Sequence, residues 1–230
     1  AGSSNTSGSI TSTVSVNATA GFSIVTYTAT NAAGTIGHGL GVAPSFIITK
    51  NRSDARNWGV YHTSVGATKF LQLNATSAST TGTAYNNTAP TSTVFSVGGG
   101  SYGETNYPSG NSYVAYCFAE VAGYSKFGSY TGNGSADGVF VFLGFRPRFV
   151  FWKNASTTGD WQMKDSSRST YNVTSANLYA NLSNAENSAG DVDFLSNGFK
   201  IRYAGNPNAS GGTYIWAAFA ENPFKYSNAR

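Results

Sequence analysis

The segment SGNSYVAYCFAE at residues 109–120 returns almost unchanged as SGGTYIWAAFAE at residues 210–221. Both copies run through consecutive apolar residues and end in Phe-Ala-Glu. A strand that is covered on both faces of a sheet has this continuous apolar pattern. In the first copy Ala115, Cys117 and Ala119 share one face, and their small size lets a second layer approach closely. We therefore predict a central, buried strand in each half of the chain.

Other matches between the two halves share one offset of 103 residues. LGVAPSFIITKN at residues 40–51 matches LGFRPRFVFWKN at residues 143–154, and Trp58 matches Trp161. Anchors that recur in the same order at constant spacing indicate an internal repeat. The chain is therefore predicted to contain one structural unit twice.

The repeat also sets the predicted domain boundaries. The motif before the first shared strand, TAGFS, returns as VAGYS about one hundred residues later. We predict a first unit at residues 20–121 and a second at residues 122–230. Residues 1–19 are predicted to be a linker or the remnant strand of a preceding unit.

The local patterns favour an all-β fold of two tandem β-sandwich domains. Short β-branched and aromatic runs alternate with Gly-rich turns, as in sandwich proteins. Pro44 and Pro147 suit the start of a strand, because proline cannot donate a hydrogen bond within a sheet. Helical evidence is limited to one short predicted helix around Leu178–Ala185.

The composition is that of a folded protein and not of a disordered chain. Charged residues make up 10% and aromatic residues 14% of the 230 residues, whereas a disordered chain would have more charge and fewer aromatics. The net charge is +4, but its basic residues are scattered, so nucleic-acid binding is not expected. No stretch approaches the length of a membrane helix, and no membrane insertion is expected. The single cysteine, Cys117, is predicted to be buried and inert.

The sequence shows no arrangement of residues that is typical of a catalytic or metal site. The two histidines, His38 and His62, are not spaced as metal ligands. Asp191 and Asp193 could bind calcium, although solvent-facing turn residues are the simpler interpretation. We predict no catalytic residues, no metal and no cofactor, and therefore a protein that is not an enzyme.

Aromatic residues in polar surroundings are the candidate binding residues. Two lie in the segment GGGSYGETNYPSGN at residues 98–111, whose Tyr, Ser, Gly and Asn content is typical of adaptable recognition loops and predicts a flexible, polar setting. A tryptophan that follows a polar turn could fill the sandwich interior or offer a stacking platform for a sugar ring. The candidate residues are Trp58, Tyr61, His62, Tyr102, Tyr107 and Trp161.

Several segments together resemble a repeated domain found in structural proteins of tailed bacteriophages, frequent in phages of aquatic bacteria and often part of long, fibre-like proteins. The motifs that carry the resemblance include GFSIVTYT, GHGLGVAPSFIITKNRS, NWGVYH, TAPTSTVFSVG, DFLSNGFKIR and GTYIWAAFAENPFKY. It covers residues 10–230 and implies a virion protein, tail-associated or a fibre, cut from a longer polypeptide. It also implies other virion proteins as partners and a homo-oligomer, with a trimer favoured. The resemblance implies no catalytic residues for this chain.

Three functions remain open at this point. The first is a virion surface protein that presents loops to a host-surface glycan. The second is a head decoration or spacer protein with a purely structural role. The third is a polysaccharide depolymerase, which would need a carboxylate pair in a groove that the sequence does not show.

Overall fold

A computed structural model describes residues 2–222 of the chain, so the predicted end of the second unit at residues 223–230 lies outside the described residues. Within residues 2–222 the secondary structure is all β, which confirms the predicted fold class. The arrangement as two tandem sandwiches stays a prediction. No helix in this range is long and apolar enough to cross a membrane.

The helix predicted around Leu178–Ala185 is wrong, because its first residues end a strand, Thr174–Tyr179. That strand is bonded to a neighbour on each side. Asn, Ser and Thr dominate this part of the chain and are poor helix formers, so pairing with neighbouring strands prevails over any helical tendency.

The chain folds into two compact units. Unit 1 comprises residues 1–75 and 79–120, and unit 2 comprises residues 76–78 and 121–230. The ten strands of unit 1 are β1 (Ser3–Asn5), β2 (Ser12–Asn17), β3 (Phe22–Thr28), β4 (Gly34–Gly37), β5 (Phe46–Asn51), β6 (Gly59–His62), β7 (Lys69–Gln72), β8 (Thr80–Thr81), β9 (Val94–Val97) and β10 (Ser112–Phe118). The eight strands of unit 2 are β11 (Ser125–Thr131), β12 (Phe140–Phe142), β13 (Pro147–Asn154), β14 (Gln162–Asp165), β15 (Thr174–Tyr179), β16 (Asn187–Leu195), β17 (Gly198–Ile201) and β18 (Thr213–Ala220).

The two units share one strand order through most of their main sheets. Unit 1 contains an antiparallel sheet in the order β1-β2-β3-β10-β5-β6-β7-β8 and a separate β4-β9 pair. Unit 2 has the order β11-β18-β13-β14-β15-β16-β17-β12. The strands β3-β10-β5-β6-β7 thus correspond to β11-β18-β13-β14-β15. The predicted central strands are confirmed, since β10 lies between β3 and β5, and β18 lies between β11 and β13.

The first nineteen residues, predicted as a linker or a remnant strand, contain two of these strands. β1 pairs with β2, and β2 pairs with β3 over six residues from Ser12 to Asn17. Val14 of β2 is buried opposite Val25 of β3. The segment therefore extends the main sheet of unit 1.

Each unit buries its own cluster of apolar side chains. In unit 1 Val25 and Ala115 of the main sheet lie in one buried cluster with Ile36 and Phe95 of the β4-β9 pair. In unit 2 the strands β12, β16 and β17 contribute side chains to a separate buried cluster. The buried cluster there joins Trp152 of β13 to Phe199 of β17. Burial of these apolar side chains is the main stabilising term in each unit.

Both units carry a stacked pair of tyrosines in the core. The rings of Tyr27 and Tyr113 lie 5.4 Å apart in unit 1, and those of Tyr130 and Tyr214 lie 5.2 Å apart in unit 2. The Tyr27 hydroxyl donates to the carbonyl oxygen of Thr105 at 2.6 Å. The Tyr130 hydroxyl donates in the same way to Pro207 at 2.7 Å. The repeated pair therefore fixes one long loop in each unit to the sheet beneath it.

The one cysteine, Cys117, is buried in the core of unit 1 on β10. Burial raises the pKa of its thiol to about 12, against a small opposing effect of the Ser23 hydroxyl. The thiolate is the reactive form, so this cysteine is inert at neutral pH, as the sequence predicts.

Candidate binding site

A polar pocket of about 240 Å³ lies between two loops of unit 1. One loop connects β5 to β6, and the other connects β9 to β10 within residues 98–111. The pocket is lined by Ala55, Arg56, Asn57, Ser101, Gly103 and Glu104. It combines a guanidinium, a carboxylate, an amide and a hydroxyl group, so it offers both donors and acceptors.

Part of the loop at residues 98–111, which the sequence predicts to be a flexible setting, is anchored by buried side chains. Thr105 and Asn106 are fully or almost fully buried. The Asn106 amide donates to the carbonyl oxygens of Ala32 at 2.7 Å and Gly98 at 3.2 Å, and its oxygen accepts from the backbone of Thr30. These bonds position the loop before any ligand binds, which lowers the entropy cost of binding.

The other wall of the pocket is built from a polar network. Asn74 donates from its amide to Asn57 at 2.9 Å and accepts from the backbone of Trp58 at 2.9 Å. Glu104 accepts from the Gln72 amide at 2.7 Å. The network fixes the amide of Asn57 and the carboxylate of Glu104 on the pocket lining.

Two predicted aromatic residues adjoin residues that line the pocket, since Tyr107 contacts Arg56 and Trp58 follows Asn57 in the chain. The Arg56 guanidinium lies 5.4 Å from the centre of the Tyr107 ring, and the Lys50 ammonium lies 6.0 Å from the centre of the Trp58 ring. Both contacts are within the range of cation–π interactions. Trp58 and Tyr107 are half-buried, so part of each ring remains accessible.

The structure does not bring the other four predicted residues to this pocket. Tyr102 packs edge-on against Phe70 and the core, and Tyr61 is buried against Tyr85. His62 is buried and meets Phe46 edge-on. Trp161 belongs to unit 2, where it is buried and stacks on Phe151 at 4.9 Å.

Sequence reasoning missed the polar and charged residues of the pocket, since Arg56, Asn57 and Glu104 were not among the candidates. Only their position in the sequence could have identified them, because polar residues between two predicted strands lie at the surface. The proposed calcium ligands lie elsewhere, in the strand β16, where Asp193 is mostly buried and paired with Arg202 at 2.6 Å. Across residues 2–222, no group of three or more His, Cys, Asp or Glu side chains could hold a metal ion.

Unit 2 contains two buried lysines that the sequence did not reveal. Lys153 donates to the carbonyl oxygens of Thr76 and Asn154, and Lys164 donates to those of Ser175 and Ala189. Burial lowers the pKa of each ammonium to about 8. Nearby carboxylates oppose this shift: Asp160 faces Lys153, and Asp191 and Glu186 face Lys164, whereas Arg168 lowers the pKa of Lys164 further.

These lysines make the stability of unit 2 rise with pH above about 8. Between pH 8 and 10 the unfolded chain keeps both ammonium groups protonated while the folded protein releases protons, so the free energy of unfolding rises. The slope for each lysine is at most about 1.4 kcal/mol per pH unit. Urea titrations between pH 7.5 and 9.5 measure it. Lys164→Met should reduce the slope and Lys69→Met, at an exposed position, should not; equal slopes in both variants would contradict the assignment.

The fold and the pocket define an all-β protein with a preformed polar pocket between two loops. Residues 1–223 match the family model described as Domain of unknown function (DUF7483), and the chain belongs to that family. Comparisons with curated proteins and with solved structures gave no match.

Proposed function

We propose that this chain is a non-enzymatic structural protein of a bacteriophage particle. It is tail-associated and presents the loops of unit 1 to a glycan on the host surface. The resemblance of its motifs to a repeated domain of phage structural proteins supports the virion assignment. The polar pocket beside Trp58 and Tyr107 is the observation that carries the glycan assignment.

The chemistry of the pocket suits a carbohydrate. Sugar hydroxyl groups donate and accept hydrogen bonds, and the pocket presents the Glu104 carboxylate as an acceptor and the Arg56 guanidinium as a donor. Asn57 supplies both functions from one amide. An aromatic ring beside such groups gives the apolar face of a sugar ring a surface to pack against.

The proposal places the chain in the virion with other virion proteins as partners. It is a homo-oligomer there, with a trimer favoured. Weak individual sites suit this arrangement, because several copies bound to one surface gain avidity.

Glycan-array and host-cell binding by the purified chain tests the proposed function. We expect Arg56→Ala and Tyr107→Ala each to weaken binding by about tenfold or more, since each removes a side chain at the pocket. Tyr171→Ala is the matched control, because Tyr171 is 85% exposed but lies in unit 2.

The opposite result would favour the alternative function. If the wild-type chain bound no host glycan and labelled chain attached to capsids rather than to tails, the glycan proposal would fail. A head decoration or spacer protein would then be the better description. Release of reducing ends from host polysaccharide would instead revive the depolymerase hypothesis.

A further inference from the structure

The segment Thr76–Ala78 follows β7 in the chain but belongs to unit 2. Its Thr76 carbonyl oxygen accepts two hydrogen bonds there, from the Lys153 ammonium at 3.0 Å and from the backbone N–H of Gly159 at 2.9 Å. One carbonyl oxygen therefore satisfies the buried ammonium of β13 and the backbone of the loop that follows it. We call Lys153 and Gly159 the acceptor site of unit 2 because they receive the segment Thr76–Ala78, although their own groups are hydrogen-bond donors.

Unit 1 repeats this pair of donors 103 residues earlier, at Lys50 and Arg56. Both again donate to a single carbonyl oxygen, which is that of Asp54 in the same loop. The Arg56 N–H lies 2.9 Å from it and the Lys50 ammonium 3.4 Å, which is long for a hydrogen bond. The same ammonium also donates to the carbonyl oxygen of Arg56 at 2.8 Å. The equivalent acceptor site of unit 1 is thus filled by carbonyl oxygens of its own loop and not by a separate segment.

Unit 2 also repeats the segment that docks. The sequence LQLNATSA at residues 71–78 corresponds to LYANLSNA at residues 178–185, which places Ser183 at the position of Thr76. The structure supports this alignment, because Asn74 and Asn181 each accept the backbone N–H of the repeated tryptophan at 2.9 Å. Leu182 is 41% exposed, and residues 183–188 are exposed.

We propose that residues 182–185 of one copy dock on the acceptor site of unit 1 in a second copy of this chain. The Ser183 carbonyl oxygen takes the place of the Asp54 carbonyl oxygen and accepts from Lys50 and Arg56. Leu182 is covered as the segment docks. Each copy carries one exposed segment and one such site, so the contact joins unlike surfaces and copies add head to tail.

The occupant follows from the contact already present in unit 2. A segment with the same position in the repeat lies there on the same pair of donors, so the geometry of docking is established once within the chain. Arg56 lines the polar pocket as well, but only its backbone N–H belongs to the docking site. The inference concerns contact between copies and does not rest on glycan binding.

Sedimentation over a range of protein concentrations tests the proposal with two variants. Leu182→Asp disables the exposed segment, and Lys50→Met disables the acceptor site. We expect the mean mass of the wild-type chain to rise with concentration, and each variant alone to remain a monomer. An equal mixture of the two variants should form a one-to-one dimer and nothing larger, because only one functional contact remains in it.

A cysteine pair gives a second measurement that does not depend on Lys50→Met folding. A Ser183→Cys chain mixed with an Arg56→Cys chain should form a disulfide dimer on mild oxidation, since the positions match Thr76 and Gly159. Leu182→Asp should leave the affinity of a single pocket for a soluble monovalent glycan intact, because Leu182 lies in unit 2, so failure of one proposal is separable from failure of the other. A wild-type chain that stays monomeric at all concentrations, or variants that still associate alone, would overturn the proposal.

Discussion

Replacing Trp152 with alanine is expected to lower the free energy of unfolding of unit 2 by about 3–5 kcal/mol. The Trp152 side chain is 0% exposed and lies in the buried cluster of unit 2. Its ring stacks on Phe199 at 6.3 Å, and it faces Trp216 on the neighbouring strand. Alanine would leave a cavity that packed neighbours fill only in part.

One further variant separates the effect of packing from that of the unpaired indole N–H, and a second variant serves as an exposed control. The Trp152 indole N–H has no hydrogen-bond partner among the described residues, and an unpaired buried donor is costly. Trp152→Phe removes that donor and keeps an aromatic ring, so its loss should be less than half that of Trp152→Ala. Tyr171→Ala should change stability by less than about 0.5 kcal/mol.

Urea unfolding followed by far-UV circular dichroism measures all three variants, because loss of a tryptophan alters fluorescence directly. Equal losses for Trp152→Phe and Trp152→Ala would contradict the packing argument. A loss below about 1 kcal/mol for Trp152→Ala would show that the indole does not fill the core.

The same position shows how far the sequence could predict the fold. The repeat identified the central strands, because a continuous apolar run such as the one at residues 113–119 requires only that both faces of the strand are covered, whatever covers them. It did not predict what fills each interior. Trp152 corresponds to Thr49, and in unit 1 the space above Thr49 is reached by Tyr85, whose hydroxyl lies 3.3 Å from the Thr49 hydroxyl.

Other repeated interior positions differ even more strongly. Tyr61 of unit 1 corresponds to the buried Lys164 of unit 2, and Phe70 corresponds to the buried Asn177. A side chain in a core is selected by the side chains that face it, and those differ between the two units. The repeat, with an offset of 103 residues at Tyr61 and 107 at Phe70, therefore predicts backbone positions but not packing partners.

The binding site was also predictable only in part, because the sequence shows which residues lie in loops but not which of them the fold buries. Aromatic residues in polar loops identified Trp58 and Tyr107, which lie beside the pocket. Composition could not separate them from Tyr102, which packs into the core, because burial depends on where the loop folds back. Arg56 and Glu104 became visible as a pair only when two distant loops met in the structure.

Replacing Asn106 with alanine is expected to lower the free energy of unfolding of unit 1 by about 2–3 kcal/mol. The Asn106 amide is buried and bonds the backbone of Thr30, Ala32 and Gly98. Alanine leaves these three groups without that partner, and water replaces it only where it can reach them. The variant also loosens the loop that carries Glu104 and Tyr107.

Unit 2 offers a matched control for this variant. Asn208 is buried at the corresponding place and bonds Asn133 and the carbonyl oxygen of Ser135 with its side chain. Asn208→Ala should therefore cost a similar amount of stability, measured by urea titration. Only Asn106→Ala should also weaken glycan binding at temperatures where both variants are folded, because only its loop lines the pocket. Equal glycan binding by the two variants would mean that a fixed position of the Glu104 loop is not needed for recognition.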